Sequence, residues 1–279
     1  MSHNIIPIPP PAPIVNTSTL PSTPPYAYLT VGVPSAVQEC RWAADSPELQ
    51  ISCFFSCVSE RKPPKKCVYH QLAPILQQGP TCGFVTISML LRGNPSADTL
   101  FRQAKARGFT AMGEMFSAGN LMEVLKSQQE FSGQCYLFEG DLNCDEIRRE
   151  IMSGACLIVP YDSDVNHAPC LKSGHKAHWA LIVGYLIDDN DQFFVIARQG
   201  KSRHLGIWSL SKLAASNANL KEFSQPKNYA DADFILSEGG IAGPRGLCRR
   251  TIVIHLDVNG NTTNSGDIHG TQFCFNSSS

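Results

Sequence analysis

The spacing of apolar residues changes midway along this 279-residue chain, and that change limits the possible folds more than any other feature. Between residues 80 and 155, apolar residues recur at intervals of three and four, the period of helices with one buried face. After residue 155, short runs rich in Val, Ile and Phe are typical of β-strands. Helices followed by strands, without βαβ alternation, indicate an α+β domain with an antiparallel sheet.

The same pattern gives approximate bounds for these elements. We expect four helices, over residues 82–91, 96–106, 115–127 and 144–152. We expect five strands, over residues 155–160, 177–186, 192–197, 206–209 and 251–257. The run Asp188-Asp189-Asn190-Asp191 lies between two of these strands and is typical of a hairpin turn.

The two ends of the chain differ from its centre. The first 38 residues hold nine of the 19 prolines and no Lys, Arg, Asp or Glu. Because proline lacks an amide donor and fixes φ, this segment predicts a disordered polyproline II tail, either a ligand for a partner's aromatic groove or a passive leader. We divide the remainder into a transition segment (39–70), a folded domain (71–258) and a polar C-terminal tail (259–279).

Composition argues against several partners and environments. A net charge of −1 gives no overall field for nucleic acid or an acidic membrane surface. No apolar run is long enough to cross a bilayer, and the opening residues do not have the pattern of a signal peptide. Eleven cysteines in such a chain are typical of free thiols in a reducing compartment, so we expect a soluble protein of the cytoplasm or nucleus, with cytoplasm as our choice.

A candidate nucleophile lies in the segment Gln77-Gln78-Gly79-Pro80-Thr81-Cys82-Gly83. Cys82 falls at the predicted start of a helix, where the positive end of the helix dipole lowers a thiol pKa and favours the thiolate. We expect Thr81 to cap that helix. A glutamine upstream can donate its amide N–H to the oxyanion that forms when sulfur attacks a carbonyl; Gln77 is our choice and Gln78 the alternative.

A cysteine nucleophile benefits from an adjacent imidazole, and His178 is the candidate base. It opens an apolar predicted strand, so its ring can face a cleft while the strand lies in the core. His175 lies in the preceding loop and is less constrained. Alone, Cys82 is better explained as a buried structural thiol, but glutamine, helix-opening Cys-Gly and strand-opening His-Trp in this order favour a papain-like cysteine peptidase.

Three segments together resemble the actin maturation protease family. They are Gln-x-Gly-Pro-x-Cys-Gly at 77–83, His-Trp-Ala-Leu-Ile-Val-Gly at 178–184, and Arg-Gln-Gly-Lys-Ser-Arg-His at 198–204 with the residues that follow to 217. The resemblance extends from about residue 72 to residue 257. It implies a papain-like fold of the C39 type, with a helical first half and an antiparallel sheet in the second.

The resemblance also implies an activity and partners. The substrate would be newly made actin, from which the enzyme removes the N-acetylated first residue, acetyl-methionine or acetyl-cysteine, without a cofactor. The proline-rich leader would contact profilin, an actin-binding protein that holds polyproline. Papain-like sites usually carry Asn or Asp after the histidine strand, whereas this chain has Gln199, whose oxygen can accept the imidazole N–H. Water or a backbone carbonyl could take that place instead.

Several alternatives remain open in the sequence. Arg198, Lys201 and Arg203 either attract acidic residues that follow the cleaved bond or form an ordinary solvated loop. The protein could also be a non-catalytic adaptor that binds through its polyproline tail, or a peptidase for another substrate. A Cys-x3-Cys-x9-Cys-x2-His spacing could hold zinc, although buried thiols are our preferred explanation. Its candidate ligands are Cys53, Cys57, Cys67 and His70.

Overall fold

The structure, a computed structural model, describes residues 40–225, 229–257 and 271–273. The described residues form six α-helices and nine β-strands. The helices are α1 (Pro47–Ser56), α2 (Cys82–Leu90), α3 (Ala97–Ala106), α4 (Ala118–Lys126), α5 (Asp145–Met152) and α6 (Leu210–Ala218). The strands are β1 (Lys66–Tyr69), β2 (Gly133–Glu139), β3 (Cys156–Ser163), β4 (Pro169–Cys170), β5 (Ala177–Ile187), β6 (Phe193–Gln199), β7 (Gly206–Ser209), β8 (Arg250–Leu256) and β9 (Thr271–Phe273). The predicted proline-rich tail lies outside the described residues.

All nine strands belong to one sheet. Its main path runs β2–β8–β3–β5–β1–β9, with β4 attached to β3 and the β6–β7 pair attached to β5. β5 is central because its 11 residues pair with β6 along one edge and with β3 and then β1 along the other. Each pairing is antiparallel, so the predicted α+β class with an antiparallel sheet is confirmed.

Helices cover both faces of this sheet. α2 is buried along its whole length and packs on the face that carries Trp179, Leu181 and Val183, which explains why it is apolar on every side. α5 and α6 pack on the opposite face, against Tyr161 and Ala180. Because both faces are covered, β3 and most of β5 are buried, which explains their nearly continuous apolar sequences. None of the helices in the described residues is long and apolar enough to span a bilayer.

The predicted transition segment, residues 39–70, contributes directly to this fold. Its strand β1 pairs with the last four residues of β5, which begin at Gly184. A Cβ on Gly184 would lie 2.2 Å from the Val68 carbonyl oxygen, so only glycine permits this approach. Its helix α1 is anchored by Glu48, whose carboxylate binds the Arg198 guanidinium through both oxygens. The first half of the chain therefore supplies strands as well as helices.

Other departures from the predicted elements have local causes. α4 begins at Ala118 rather than at residue 115, because the Ser117 side chain caps it by accepting the Asn120 N–H at 3.3 Å. We did not predict β2, because its residues are half-buried or exposed and form no continuous apolar run. We also did not predict α6, whose small and polar residues give a weak apolar pattern. β9 lies within the predicted polar C-terminal tail.

A buried carboxylate shapes the loop that leads into β5. Asp162 is fully buried, and its Oδ2 accepts the backbone N–H groups of Lys172 (2.9 Å) and Gly174 (2.7 Å). Its Oδ1 accepts the N–H of Lys176 at 2.9 Å. A charged acceptor that satisfies three amides stabilises this loop strongly. The loop ends two residues before His178, so Asp162 helps to fix where β5 begins.

We expect Asp162→Asn to lower the free energy of unfolding by about 2 kcal/mol or more, because the new amide group turns NH2 toward at least one backbone N–H. Urea unfolding followed by circular dichroism would measure this loss. Asp141→Asn is the matched control, since that exposed carboxylate accepts the Asn143 N–H through Oδ1 and asparagine can do the same. Equal, small changes in both variants would contradict this role for Asp162.

Candidate active site

Cys82 is the first residue of α2, as predicted, and its residue surface is 9% exposed. The backbone amides of Trp179 and Gly83 hydrogen-bond to its sulfur. Thr81 occupies the N-cap position, but its side chain does not cap the helix as we expected; its hydroxyl donates to the Gln78 carbonyl at 2.8 Å. The sulfur therefore lies between the start of β5 and the first amides of α2, which have no carbonyl partner within the helix.

His178 is the second residue of β5 and is 2% exposed. Its ring packs edge-on against the ring of Tyr161, its partner across the β3–β5 pair, with 5.8 Å between centroids. Its Nε2 lies 3.4 Å from Oε1 of Gln199, the residue at the end of β6. Gln199 therefore lies where we predicted the partner of the imidazole. The same oxygen accepts the Lys201 N–H at 2.7 Å.

Three groups place the thiol and the imidazole in the same region. The amide that hydrogen-bonds to Cys82 belongs to Trp179, the residue after His178. Tyr161 packs on the His178 ring and is also close enough to Cys82 for the two to interact electrostatically. The Lys201 ammonium acts on both the thiol and the imidazole. The structure thus places these two residues, which are 96 positions apart in the sequence, at the same end of β5.

Burial controls the ionisation of both groups. Burial raises the pKa of the Cys82 thiol. The Trp179 amide, the Lys201 charge and the Gly83 amide lower this pKa, but their combined effect is smaller. Burial lowers the pKa of His178 to about 3, with a further decrease from Lys201 that the Gln199 hydrogen bond opposes. Our expectation that the helix dipole lowers the Cys82 pKa is therefore wrong, because desolvation is the larger effect. At neutral pH the site holds a thiol and a neutral imidazole.

The two candidate glutamines face different surroundings. Gln77 donates its backbone N–H to the Gly200 carbonyl at 2.8 Å, and a Cβ on Gly200 would lie 2.9 Å from the Gln77 Oε1 atom. The Gln77 Nε2 donates to the Gly79 carbonyl at 2.8 Å, and Oε1 is buried without a hydrogen-bond partner among the described residues. Gln78 is exposed. Of the two candidates, Gln77 is therefore the one that packs against Gly200, next to Gln199 in the chain.

Arg198, Lys201 and Arg203 lie at or just after the end of β6, and Arg198 neither attracts substrate nor lies in a solvated loop. Its side chain is 3% exposed, its Nη2 donates to Glu48 at 2.6 Å, and its Nη1 donates to the Arg203 carbonyl at 3.0 Å. It is therefore a buried structural residue and cannot attract a substrate. Lys201 and Arg203 are exposed, and the Arg198 contact helps to hold the loop that carries them.

The four candidate zinc ligands are not assembled into a site. Cys53 and Cys67 are fully buried, whereas Cys57 is exposed at the end of α1. His70 uses its Nε2 to contact the Gly154 carbonyl at 2.9 Å. In the part of the chain that the structure describes, no group of three or more His, Cys, Asp or Glu is positioned to hold a metal, and every cysteine is a free thiol.

Sequence reasoning did not identify two groups that shape this site. Tyr161 contacts the imidazole only because β3 pairs with β5 in a register that places it opposite His178. The Trp179 backbone amide reaches Cys82 because α2 packs on β5, and the Trp179 indole N–H also donates to the Met115 carbonyl at 3.0 Å. Every residue except proline has a backbone amide N–H, so the residue type cannot indicate this role. Only the strand pairing and the helix packing identify it.

Comparison with known proteins gives consistent matches. Residues 72–186, which include Cys82 and His178, match the family model "Actin maturation protease-like, C-terminal domain". The chain is 49% identical to the actin maturation protease of Drosophila melanogaster, over 81% of this chain and 84% of that protein. It is 32% identical to the mouse actin maturation protease over 66% of this chain, and it spans 62% of that protein, less than two thirds. The chain therefore belongs to the actin maturation protease family.

Proposed function

We propose that this protein is a cysteine aminopeptidase that removes the N-acetylated first residue, acetyl-methionine or acetyl-cysteine, from immature actin. The observation that carries the proposal is the position of Cys82 at the start of α2, against the strand whose second residue is His178. Family membership and the names of the relatives supply the substrate, since these proteins are called actin maturation proteases. A papain-like arrangement supplies the chemistry.

The first step is attack of the Cys82 sulfur on the carbonyl carbon of the first residue. Because thiol and imidazole are both neutral at rest, His178 removes the thiol proton during attack rather than being paired with a preformed thiolate. Because Nε2 is next to the Gln199 oxygen, we assign Nδ1 as the nitrogen that accepts the thiol proton. The glutamine is therefore a positioning residue for the ring, in the place that Asn or Asp usually takes.

The oxyanion formed in this step needs hydrogen-bond donors. The backbone N–H of Cys82, at the free end of α2, is one donor, and the Gln77 amide is the second once it leaves the Gly79 carbonyl. Lys201 adds a positive charge near the developing anion. His178 then protonates the departing amine of actin, and water activated by the same imidazole hydrolyses the acyl-enzyme to release the acetylated residue.

The exposed cations Lys201 and Arg203 also suggest how the departing side of the substrate is recognised. They lie two and four residues after Gln199, and neither has an ion pair among the described residues. We assign them to acidic residues that follow the cleaved bond. Arg198 is excluded from this role because Glu48 neutralises it.

The proline-rich tail belongs to the same proposal, although residues 1–38 lie outside the described residues. We assign it to profilin, so that the actin–profilin complex is held near Cys82 at high effective concentration. A chain lacking residues 1–34 should therefore process profilin-bound actin more slowly, but cleave a short acetylated peptide at the full rate. Equal losses on both substrates would contradict a docking role.

We expect Cys82→Ala to abolish removal of the first residue, because the change deletes the nucleophile while removing little buried volume. Mass spectrometry of actin N-termini after incubation with the wild-type or variant protein would measure this. Cys156→Ala is the matched control, since it removes another buried free thiol, which the mechanism does not use. Full processing by Cys82→Ala would refute the proposal, and no processing by the wild-type protein would favour an adaptor.

The raised thiol pKa predicts how Cys82 reacts with iodoacetamide. Because burial raises that pKa above its usual value, the alkylation rate should still be rising at pH 9. Because the His178 pKa is near 3, no imidazolium is present at pH 5 to 7 to hold a thiolate. Peptide-resolved mass spectrometry would follow Cys82 separately from the exposed Cys57. A rate that is already constant from pH 5 to 8 would indicate a preformed ion pair and contradict the general-base mechanism.

A further inference from the structure

A cavity of about 500 Å³ is lined by residues on both sides of Cys82 in the chain, from Gly79 to Thr81 and at Val85. Gly79, Pro80 and Thr81, the three residues that lead into Cys82, form one wall. Val85, one helical turn after Cys82, forms part of the floor and is 1% exposed. We call this space the α2–α3 cavity, because α3 forms the facing wall. Its other lining residues are Leu76, Gln78, Ala97, Asp98, Phe101, Met112 and Tyr229.

The lining of the α2–α3 cavity is predominantly apolar and is open to solvent. Leu76 and Met112 are 45% and 41% exposed, unusually high for large apolar side chains. Phe101 contributes its ring, which packs on Phe84 with 6.1 Å between centroids. The one charged lining residue, Asp98, pairs with Arg102 at 3.1 Å. Transfer of a neutral apolar group from water into this cavity is therefore favourable.

The wall that carries Met112 is held in place by specific contacts. The buried Glu114 carboxylate accepts the N–H groups of Ala111 (3.0 Å), Met112 (2.8 Å) and Ile235 (3.0 Å). At Gly113, φ is +113°, and a Cβ would lie 2.8 Å from the Thr81 methyl carbon. The Met112 loop is therefore fixed against the residue that precedes the nucleophile, which indicates a formed subsite rather than a gap between loose loops.

The chemistry of the reaction decides which end of the substrate this cavity faces. The imidazole must protonate the departing amine, so the residues after the cleaved bond leave on the side of His178 and Lys201. The acyl group stays on Cys82 and extends away from that side, toward the residues that precede the cysteine. There the cavity offers apolar walls and no unpaired charge for a blocked, uncharged residue.

We propose that the α2–α3 cavity is the subsite for the side chain of the first substrate residue, with Met112, Phe101 and Val85 as its specificity-determining contacts. This inference rests on the proposed function, because it takes the acetylated first residue as the acyl group. It further specifies that an unbranched apolar side chain such as methionine gains more from the subsite than a small one such as alanine.

The test uses the full chain and acetylated peptides that differ only in their first residue, methionine or alanine. Ala97→Phe places a ring inside the cavity, so kcat/KM for the acetyl-Met peptide should fall about tenfold or more, while the acetyl-Ala peptide changes less than about twofold. Met112→Ala should reduce the preference for methionine in the same direction. Met152→Ala is the matched control, since Met152 is similarly exposed at 44% and lies at the end of α5.

Equal losses on both peptides, or a changed preference at the second residue instead of the first, would overturn the inference. A binding measurement separates this outcome from failure of the proposed function. In a Cys82→Ala background, fluorescence titration with a labelled acetyl-Met peptide should show about tenfold weaker binding when Ala97→Phe is added. If the wild-type protein cleaves no acetylated peptide but this binding difference remains, the subsite is correct and the proposed reaction is wrong. Identical binding with and without Ala97→Phe would contradict the assignment of the α2–α3 cavity as this subsite.

Discussion

The packing of α2 against β5 is the contact on which the rest of the molecule depends. A helix buried on all sides needs neighbours on every face, and the sheet, α3 and α4 provide them. This packing carries the first residue of the helix to the first residues of the strand, where the Trp179 amide meets the Cys82 sulfur. The sheet fixes the other participants, because β3 brings Tyr161 and β6 brings Gln199 to the same end of β5.

The same burial that positions the thiol also suppresses its ionisation. Helix-end amides and Lys201 favour the thiolate, yet removal from water outweighs them and keeps the thiol protonated. Burial also disfavours the charged form of His178, so the pKa of the imidazole falls and the ring stays neutral to low pH. Both groups are therefore uncharged at rest, and the proposed proton transfer occurs during attack on the substrate rather than before it. Its reactivity should depend on substrate binding that brings the carbonyl to a sulfur with little exposed surface.

Local signals allowed much of the site to be predicted from the sequence. A Gly-Pro-Thr segment before an apolar run located the start of α2 at Cys82, and an apolar run after a polar loop located β5 to within one residue of its observed ends. The α+β class followed from the order of helical and strand patterns. Gln199 was a candidate because it follows the neighbouring strand, and it does lie beside the imidazole.

What the sequence could not provide depends on contacts between distant residues. Glu48 and Arg198 are 150 positions apart, and nothing local indicates that one neutralises the other or that α1 and β1 join the sheet. The Asp162 carboxylate looks like an exposed turn residue until the three amides that surround it are known. The position of Cys82 at a helix start predicted a lowered pKa, whereas the pKa is raised. The difference comes from burial, which depends on the whole fold.

The most direct test of the central claim is the rate at which Cys82 is acylated by an acetyl-Met peptide in a single turnover, measured by intact-protein mass spectrometry in wild-type and His178→Ala proteins. We predict a decrease of about 100-fold or more when the imidazole is removed, in a variant that circular dichroism shows to be folded. His175→Ala is the control, because that exposed ring contacts Glu222 at 3.2 Å and should not matter for acylation. Acylation of His178→Ala at the wild-type rate would contradict the account.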